Sequence, residues 1–162
     1  MIEITIKNAS VNDLSEMKQL FVSTIKNVCS NDYSPDQIEV WTSSIHNKQR
    51  WEGVLSNQHV FLAKSNKALI GFATLKDNQY IDLLYVHKDF QGCNVASSLL
   101  SVLEKTAVEN GSNTLSSDVS ITARPFFQKM GFDTQQEQIV VLKGLEFTNF
   151  RMSKNLNDEH LG

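Results

Sequence analysis

The chain has 162 residues, of which 41% are hydrophobic and 20% are charged, and its formal net charge is −3. This composition is typical of a soluble globular protein, and the length suits one domain with its own core. Nucleic acid is excluded as an expected partner, because phosphate binding needs concentrated positive charge and the chain has no basic run. Neither a membrane span nor a signal peptide is recognisable, so we expect a cytoplasmic protein without a membrane partner.

The two cysteines, Cys29 and Cys93, show no metal-ligand spacing and no CxxC motif. A buried, reduced thiol is the simplest interpretation of each, and no metal site is expected. Cys93 has a second interpretation, because it lies inside a glycine-containing loop that is described below.

The N-terminal part of the chain predicts one strand and then helices. The strand has isoleucines that alternate with polar residues: Ile2, Ile4 and Ile6. The first helix has apolar residues at helical spacing: Val11, Leu14, Met17, Leu20, Phe21, Ile25 and Val28. Ser34-Pro35 favours the start of a second helix with three apolar residues on one face: Ile38, Trp41 and Ile45. The stretch NKQRWEGVLSN adds a short helical segment.

Three short apolar runs separated by polar breaks predict an antiparallel meander: HVFLAKS, KALIGFATLKD and QYIDLLYVH. A helix from about Gly92 to Asn110 follows, and Gly111 ends it. The residues of this helix predicted to face inward are Val95, Leu99, Val102, Leu103 and Thr106. NTLSSDV predicts a strand, and TARPFFQKM predicts a short helix closed by Gly131. Two strands, about 132–142 and 145–153, complete the order with a turn at Lys143-Gly144.

This order predicts a single α/β (α+β) domain over residues 1–155, with a mixed sheet and helices on its faces. Residues 156–162 are predicted to be a frayed tail. The chain shows no repeat, linker or low-complexity segment.

The segment QGCNVA, residues 91–96, stands between the third meander strand and the following helix. Free backbone N–H groups and the positive end of a helix dipole at such a turn suit an anion such as pyrophosphate. The segment is neither the GxxxxGK[ST] phosphate loop nor the dinucleotide GxGxxG. Many strand-to-helix turns contain glycine and bind nothing, so the loop alone does not identify a ligand site.

A second motif, TARPFFQKMGF, lies downstream of this loop. Together the two segments resemble the motifs of the GNAT superfamily of acetyl-CoA-dependent N-acetyltransferases. Gln91 and Ala96 match the ends of the family's loop pattern, Gly92 matches a frequent second position, and Asn94 stands where an inner glycine is usual. The downstream motif matches at Ala123, Phe126, Gln128, Lys129, Gly131 and Phe132. The order of predicted elements agrees along nearly the whole chain, and DYSPDQIEVW and LEFTNFRMSK look like a bacterial subgroup of the family.

The resemblance implies about seven mostly antiparallel strands, with a V-shaped opening between the fourth strand (80–87) and the fifth (114–119). In the family, the pantetheine arm of CoA lies along the fourth strand, here Leu84, Tyr85 and Val86. The pyrophosphate meets the loop amides, here Gln91, Gly92, Cys93, Asn94, Val95 and Ala96. Candidates beside the arm after the fifth strand are Ser120, Arg124 and Phe127. The implied activity is acetyl transfer from acetyl-CoA to a primary amine, by direct attack on the thioester.

Asn94 and Phe127 depart from the family pattern. If the loop needs a left-handed backbone, Asn tolerates a positive φ far better than a β-branched residue does, and we expect CoA still to bind. Phe127 replaces a tyrosine that often protonates the departing thiolate. A thiol pKa of about 8.5 makes unprotonated release only roughly 2 kcal/mol unfavourable. Tyr85, Ser120, Cys93 or a water remain alternative donors.

Deprotonation of the amine costs more free energy than release of the thiolate. An alkyl ammonium with a pKa of about 10.4 is neutral only about one part in 2,500 at pH 7. That deprotonation is roughly 4.6 kcal/mol unfavourable and needs a base or a desolvating pocket. Asp82, a carboxylate within an apolar strand, is the first candidate base, and its alternative is to face solvent on a strand edge or to pair with a neighbouring lysine. Asp118 is the second candidate. His87 is expected to be a surface residue.

The acceptor pocket is expected between the N-terminal helices and the sheet, where Tyr33, Trp41 and Trp51 are the aromatic residues. Of these, Tyr33 and Trp41 are the candidate substrate contacts, although aromatic residues at helical spacing also build cores. Two other classes of function stay open, namely a CoA-binding sensor without catalysis and an interaction protein without a cofactor. The acceptor amine is not identifiable from the sequence, and a homodimer stays an option.

Overall fold

The computed structural model describes residues 2–157, in which a seven-stranded sheet carries helices on both faces. The strands are β1 (Thr5–Asn8), β2 (His59–Ser65), β3 (Ala68–Lys76), β4 (Tyr80–Val86), β5 (Thr114–Ser120), β6 (Asp133–Leu142) and β7 (Leu145–Asn155). The helices are α1 (Leu14–Val28), α2 (Pro35–Thr42), α3 (Lys48–Asn57), α4 (Val95–Glu109) and α5 (Arg124–Lys129). Short 3₁₀ turns precede α1 and follow α2 and β4.

The strand order is β1-β2-β3-β4-β5-β7-β6, and every neighbouring pair is antiparallel except β4 and β5, which are parallel. The predicted mixed, mostly antiparallel sheet is therefore confirmed. The turn between β2 and β3 has positive φ at Asn66 and Lys67, and the turn between β6 and β7 has positive φ at Lys143 and Gly144. Two left-handed residues in a row are typical of tight hairpins whose twist matches that of the strands.

Each face of the sheet has its own hydrophobic core. Helices α1 to α3 cover one face, where Met17, Ile25 and Trp51 are almost completely buried with Phe72 of β3. Helices α4 and α5 cover the other face, where Leu99 and Leu103 are buried. The strands between them supply apolar residues to both sides, which is why β3 is a nearly continuous apolar run.

The predicted start of the second helix is confirmed. Ser34 precedes Pro35, its Oγ accepts a hydrogen bond from the Gln37 N–H at 3.1 Å, and its own N–H donates to Gln37 Oε1 at 2.7 Å. This reciprocal cap gives hydrogen-bond partners to the N–H groups of Ser34 and Gln37 at the start of the helix. Pro35, at the first helical position, has no N–H group that would need a partner. Ile45 lies beyond the helix, in the 3₁₀ turn Ser43–His46.

Four further predicted details differ from the structure. Strand β1 begins at Thr5, so that Ile6 alone of the three alternating isoleucines lies in it. Val11 is 74% exposed rather than part of the core, because it sits in a 3₁₀ turn before the apolar stripe of α1 begins. Helix α4 begins at Val95 rather than near Gly92, because the left-handed Asn94 precedes it. Its buried residues include Leu100 and Ala107, whereas Val102 and Thr106 are only partly buried.

The ordered fold extends further than the predicted boundary at residue 155. Leu156 is completely buried, and its N–H donates to the Asn113 carbonyl at 2.8 Å. The rest of the predicted tail, 158–162, lies outside the described residues. Within residues 2–157, none of the helices combines the length and the apolar character that a membrane crossing requires.

Candidate active site

The site is built where β4 and β5 separate. Within the described residues, the parallel ladder joins the two strands only at Tyr80 with Ser116 and at Ile81 with Ser117. At this point β4 also changes register against β3, with Asp82 as the extra residue. Such a bulge bends a strand and increases its twist, so β4 turns away from β5 just beyond it. The V-shaped opening between the fourth and fifth strands is thereby confirmed.

The bulge is stabilised by a buried threonine of β3. Thr74 Oγ1 accepts a hydrogen bond from the Leu83 N–H at 3.0 Å, and Thr74 itself is completely buried. The bulge also reverses the side-chain alternation, because Ile81 packs with the core under α4 whereas Leu83 packs with the core under α1. Asp82 can therefore extend toward α3 from a strand that is otherwise apolar.

Beyond the bulge, β4 presents part of its backbone to the opening. The His87 N–H donates to the Ile70 carbonyl at 2.8 Å, which places the peptide groups of His87 and Tyr85 on the β3 side. Because these directions alternate along an antiparallel strand, the polar groups of Leu84 and Val86 point toward the opening. This edge is where the resemblance predicted the pantetheine arm.

The Val86 carbonyl at this edge already has two donors from the chain itself. Thr24 Oγ1 of α1 donates to it at 3.0 Å, and Gln91 Nε2 donates to it at 2.7 Å. A carbonyl oxygen has two lone pairs, so both are used. The backbone groups left to face a ligand on this edge are therefore the Val86 N–H and both groups of Leu84.

The loop before α4 has the conformation expected of an anion cradle. Asn94 has φ 67 and ψ 16, so its predicted left-handed backbone is confirmed, and Gly92 is also left-handed at φ 75. The Asn94 carbonyl accepts hydrogen bonds from the Ser98 N–H at 3.0 Å and from the hydroxyls of Ser97 and Ser98. The N–H groups at the start of a helix have no carbonyl partner within it, and those of α4 begin at Val95.

An anion at this loop would meet mainly backbone groups. Val95 is 1% exposed and packs into the core against Gly71 of β3, so its side chain is not available. Gln91 and Ala96 line the opening. The Cys93 thiol is partly buried and lies 3.8 Å from the Gln91 carbonyl.

Two cavities meet in the opening. The first, of about 190 Å³, lies between β4, β5, α1 and α5. The second, of about 390 Å³, lies between β4, β5, the helices α1 to α3 and the β6–β7 hairpin. After the roles that the resemblance implies for them, we call the first the donor cavity and the second the acceptor cavity. Five residues line both, and we call them the junction: Trp41, Asp82, Tyr85, Asp118 and Ser120. The structure thus brings together all three predicted catalytic residues.

Asp82 is held by an arginine that the sequence analysis did not identify. Arg50 of α3 donates to its two oxygens at 2.6 and 2.9 Å, and Gln58 Nε2 donates to Oδ2 at 2.7 Å. Burial alone would raise the pKa of Asp82, but the hydrogen bonds from Arg50 and Gln58 outweigh it and lower that pKa below its usual value. The carboxylate is therefore firmly ionised and is a weaker base than a free aspartate.

Asp118 has a similar arrangement on the other side of the junction. Its oxygens accept hydrogen bonds from Arg151 Nε at 2.8 Å, Gln138 Nε2 at 2.9 Å and the Tyr80 hydroxyl at 2.9 Å. Burial and the hydrogen bond to Asp118 raise the pKa of Tyr80 to about 12. Both carboxylates of the junction therefore have a guanidinium partner.

Tyr85 and Ser120 complete the junction. Burial raises the pKa of Tyr85 far above its ordinary value, so the phenol keeps its proton at neutral pH. Its ring packs edge-on against Phe21, with the centroids 4.9 Å apart. Ser120 Oγ accepts a hydrogen bond from the Ala123 N–H at 3.1 Å, and this bond fixes the turn into α5.

The two predicted residues of α5 have different surroundings. Phe127 is buried, packs edge-on against Phe132 and lines the donor cavity. The Arg124 guanidinium lies 4.1 Å above the Phe150 ring, and its Nε donates to Thr134 Oγ1. Within residues 2–157, the side chains that line the two cavities do not include that of Arg124. The structure therefore does not bring Arg124 to its predicted position beside the CoA arm.

The predicted substrate contacts both line the acceptor cavity. Tyr33 and Trp41 pack edge-on, with ring centroids 5.2 Å apart. The Tyr33 hydroxyl donates to the Thr148 carbonyl at 2.7 Å and accepts from the Ile121 N–H at 3.0 Å. The polar partners of this hydroxyl are therefore backbone groups, and the ring is the part that faces the cavity.

Several lining residues were not predicted at all. They come from α1, from α3 and from the β6–β7 hairpin: Phe21, Thr24, Arg50, Val140, Leu142, Phe147 and Asn149. No local motif marks them, since each reaches the site through contacts that are distant in the sequence. The described part of the chain has no group of three or more His, Cys, Asp or Glu side chains arranged for a metal ion.

Comparison with known proteins agrees with this geometry. A family model described as an acetyltransferase (GNAT) domain matches residues 29–154. The N-acetyltransferase YafP of Escherichia coli strain K12 is 36% identical over 152 residues, which is 94% of this chain and 96% of that protein.

Solved structures extend the similarity to the whole fold. A GCN5-related N-acetyltransferase from Rhodopseudomonas palustris superposes with a TM-score of 0.91 at 31% identity, covering 96% of this chain and 98% of that one. PaiA N-acetyltransferase from Thermoplasma acidophilum, solved with coenzyme A, superposes with a TM-score of 0.77 at 22% identity, over 95% and 99%. With the family match over most of its length, the chain belongs to the GNAT family of acetyltransferases.

Proposed function

We propose that this protein transfers the acetyl group of acetyl-CoA to a primary amine at the junction, by direct attack of the amine on the thioester. The observation that carries the proposal is that the donor and acceptor cavities meet at five shared residues. A donor in one cavity and an acceptor in the other would bring their reacting atoms together without a covalent enzyme intermediate.

The donor cavity and the loop before α4 have the features that CoA needs. The N–H groups at the start of α4 and the dipole of this 15-residue helix attract the pyrophosphate, and the left-handed Gly92 and Asn94 shape the cradle. Leu84 and the Val86 N–H lie along the path that leads from this loop to the junction. PaiA, a structural relative, was solved with coenzyme A, which supports the same use here.

Tyr85 is the residue we assign to the departing thiolate. In the proposed step the amine nitrogen forms a bond to the carbonyl carbon, the C–S bond breaks, and the sulfur accepts a proton. Phe127 cannot donate that proton, whereas Tyr85 lies at the junction and stays protonated at neutral pH. Because its raised pKa makes it a weak acid, its role is to donate a hydrogen bond to the departing sulfur, and the proton that the nitrogen loses balances the one that the sulfur gains. Release of a thiolate without help is roughly 2 kcal/mol unfavourable, so loss of this donor should slow the reaction rather than abolish it.

Asp82 and Asp118 are proposed to orient the amine and to receive the proton that it loses. Asp82 remains the first candidate, because it lies at the bulge and lines both cavities. Its ion pair with Arg50 makes it a weak base, which limits how much it can do to deprotonate a strongly basic ammonium.

The test is thiol release from acetyl-CoA with a panel of amines, together with calorimetric titration of CoA. We expect Asp82→Asn to reduce turnover at least about tenfold while it preserves CoA affinity, because the donor loop is separate from the bulge. Asp77→Asn is the matched control, since Asp77 is exposed in the β3–β4 turn. Unchanged turnover in Asp82→Asn would remove Asp82 from the reaction, and CoA binding without turnover of any amine would favour a sensor.

A further inference from the structure

The acceptor cavity has mostly aromatic and aliphatic walls. Six side chains from α1, α2, α3 and the β6–β7 hairpin surround it: Phe21, Trp41, Trp51, Val140, Leu142 and Phe147. Phe21 and Trp51 pack edge-on with centroids 5.1 Å apart, which fixes one wall. At about 390 Å³ the space suits a small molecule with an apolar ring or chain.

The charged groups of this cavity already have partners. Within the described residues, the cations and anions that line it are Arg50, Asp82 and Asp118. Arg50 and Asp82 form a two-pronged ion pair with a closest approach of 2.6 Å, and Asp118 pairs with Arg151 at 2.8 Å. A carboxylate on the acceptor would have to compete with Asp82 for Arg50. A second ammonium would have to compete with an arginine for a carboxylate.

The junction is also poorly equipped to deprotonate an ammonium. No histidine of residues 2–157 lines either cavity. The hydrogen bonds from Arg50 and Gln58 outweigh burial and lower the pKa of Asp82, and the other carboxylate, Asp118, is paired with Arg151. An alkyl amine with a pKa of about 10.4 would need roughly 4.6 kcal/mol to reach its neutral form at pH 7. Transfer of its charged form into an apolar cavity is unfavourable as well.

We propose that the acceptor is a weakly basic amine, uncharged at neutral pH, on an apolar body, and that arylamines are the class that fits best. This inference rests on the proposed acetyl transfer. The lone pair of an arylamine is partly delocalised into its ring, so the amine enters the cavity neutral and keeps enough nucleophilicity for a thioester. Its nitrogen forms the C–N bond, the C–S bond breaks, the nitrogen loses one proton and the sulfur gains one.

The decisive experiment compares 4-methylaniline with benzylamine, two isomers that have the same ring and the same atoms but differ in basicity. The full chain is mixed with acetyl-CoA and each amine, and thiol release is followed from pH 6.5 to 9. We expect kcat/KM for 4-methylaniline to exceed that for benzylamine at least about tenfold at pH 7 and to vary little with pH. Well below its ammonium pKa, the value for benzylamine should rise about tenfold per pH unit, as its neutral fraction does, and it should level off as the pH approaches that pKa.

Phenylalanine and spermidine complete the panel, because they add a carboxylate or further ammonium groups. Preference for either one, or equal rates for the two isomers at pH 7, would overturn the inference and leave acetyl transfer standing. Absence of thiol release with every amine would contradict the inference and the proposed function together. A thermal shift with CoA in that case would identify a protein that binds the donor without using it.

A pair of neighbouring valines on β6 tests the location of the acceptor. Val140 lines the acceptor cavity, whereas Val141 is 62% exposed and points to the opposite side of the strand. We expect Val140→Asp to raise KM for 4-methylaniline at least about tenfold with KM for acetyl-CoA unchanged, because the charge disfavours an apolar ligand. Val141→Asp should change neither constant. Equal KM values in both variants would show that the acceptor does not bind between β6 and β4.

Discussion

Asn94 has a left-handed backbone and lies just before α4. The affinity of this loop for an anion would depend on both features. Its φ of 67 is sterically accessible to asparagine and glycine but strongly disfavoured for β-branched residues. Its carbonyl anchors three hydrogen bonds of the first helical turn. The residue therefore sets the direction in which the first amides of the helix point.

We expect Asn94→Gly to retain CoA binding and Asn94→Val to weaken it by about tenfold or more. Glycine adopts the left-handed conformation without strain, whereas valine would force the loop into another conformation. Calorimetric titration of CoA measures both affinities. Asn78→Val is the control, because it strains a left-handed residue in the β3–β4 turn and should leave CoA affinity unchanged. Equal affinities for the glycine and valine variants would contradict the conformational argument.

The contrast between Asn94 and Asp82 shows what a sequence can predict about single residues. The left-handed conformation of Asn94 followed from the resemblance, because glycine is usual at this position and asparagine tolerates a positive φ. The state of Asp82 depends on Arg50, which is 32 positions away and on another element. No local pattern links the two, and the weak basicity of Asp82 follows only from their contact.

At the level of elements, Gly71 sets how closely α4 approaches the sheet. A Cβ at this position would lie 3.0 Å from Val95 Cγ1, 3.1 Å from the Tyr85 carbonyl oxygen and 3.2 Å from Leu99 Cδ1. The Tyr85 oxygen belongs to the backbone of β4 and cannot simply rotate away. Because Gly71 has no side chain, the start of α4 can pack closely on β3. The position of the loop before the helix therefore depends on this glycine.

We expect Gly71→Ala to destabilise the fold by about 1–3 kcal/mol, because the added methyl overpacks a filled core. It should also weaken CoA binding, since Val95 would have to move. Gly53→Ala is the matched control: the nearest atom to its Cβ is Asn57 Nδ2 at 3.8 Å, and the residue lies within α3. Alanine is the better helix former, so this variant should gain up to about 1 kcal/mol. Urea unfolding measures both changes, and equal shifts would show that Gly71 has no special contact.

The elements themselves were largely predictable because their signals are local. Alternating or continuous apolar runs predicted the strands, and the Ser34-Pro35 cap predicted the start of α2. The errors fall at element ends, as for Val11, where the apolar period continues by chance into a 3₁₀ turn. The bulge at Asp82 was not predictable, because it is a mismatch between two strands rather than a property of one.

Across the whole molecule, the β6–β7 hairpin is tied to the N-terminal helices over the acceptor cavity. The Tyr33 hydroxyl bridges the Ile121 N–H and the Thr148 carbonyl, and Lys143 Nζ at the hairpin tip donates to Ser43 Oγ at 2.9 Å. These contacts support a wall of the cavity by joining residues that are 88 to 115 positions apart in the sequence. Motifs could not predict such a wall, because its residues are distant in the sequence. The loop before α4 could be predicted, because it is one continuous segment.

We expect Tyr33→Phe to destabilise the fold by about 1–3 kcal/mol, because it leaves a partly buried N–H and carbonyl without their partner. KM for the amine should rise while KM for acetyl-CoA stays constant. Lys143→Met is the control: its contact with Ser43 is exposed, and its loss should change stability by less than about 0.5 kcal/mol. Denaturant titration and initial rates measure these effects. A smaller loss for Tyr33→Phe than for Lys143→Met would show that the bridge does not support the cavity.

The two cavities share the junction, but beyond it they are bounded by different elements: α5 and the α4 loop on one side, and α3 with the hairpin on the other. In the proposed reaction the amide would leave past α3 and the hairpin, and CoA would leave past α5 and the loop before α4. The amide would then not have to wait for CoA to dissociate. For an acceptor that arrives rarely, the complex with acetyl-CoA would be the resting state.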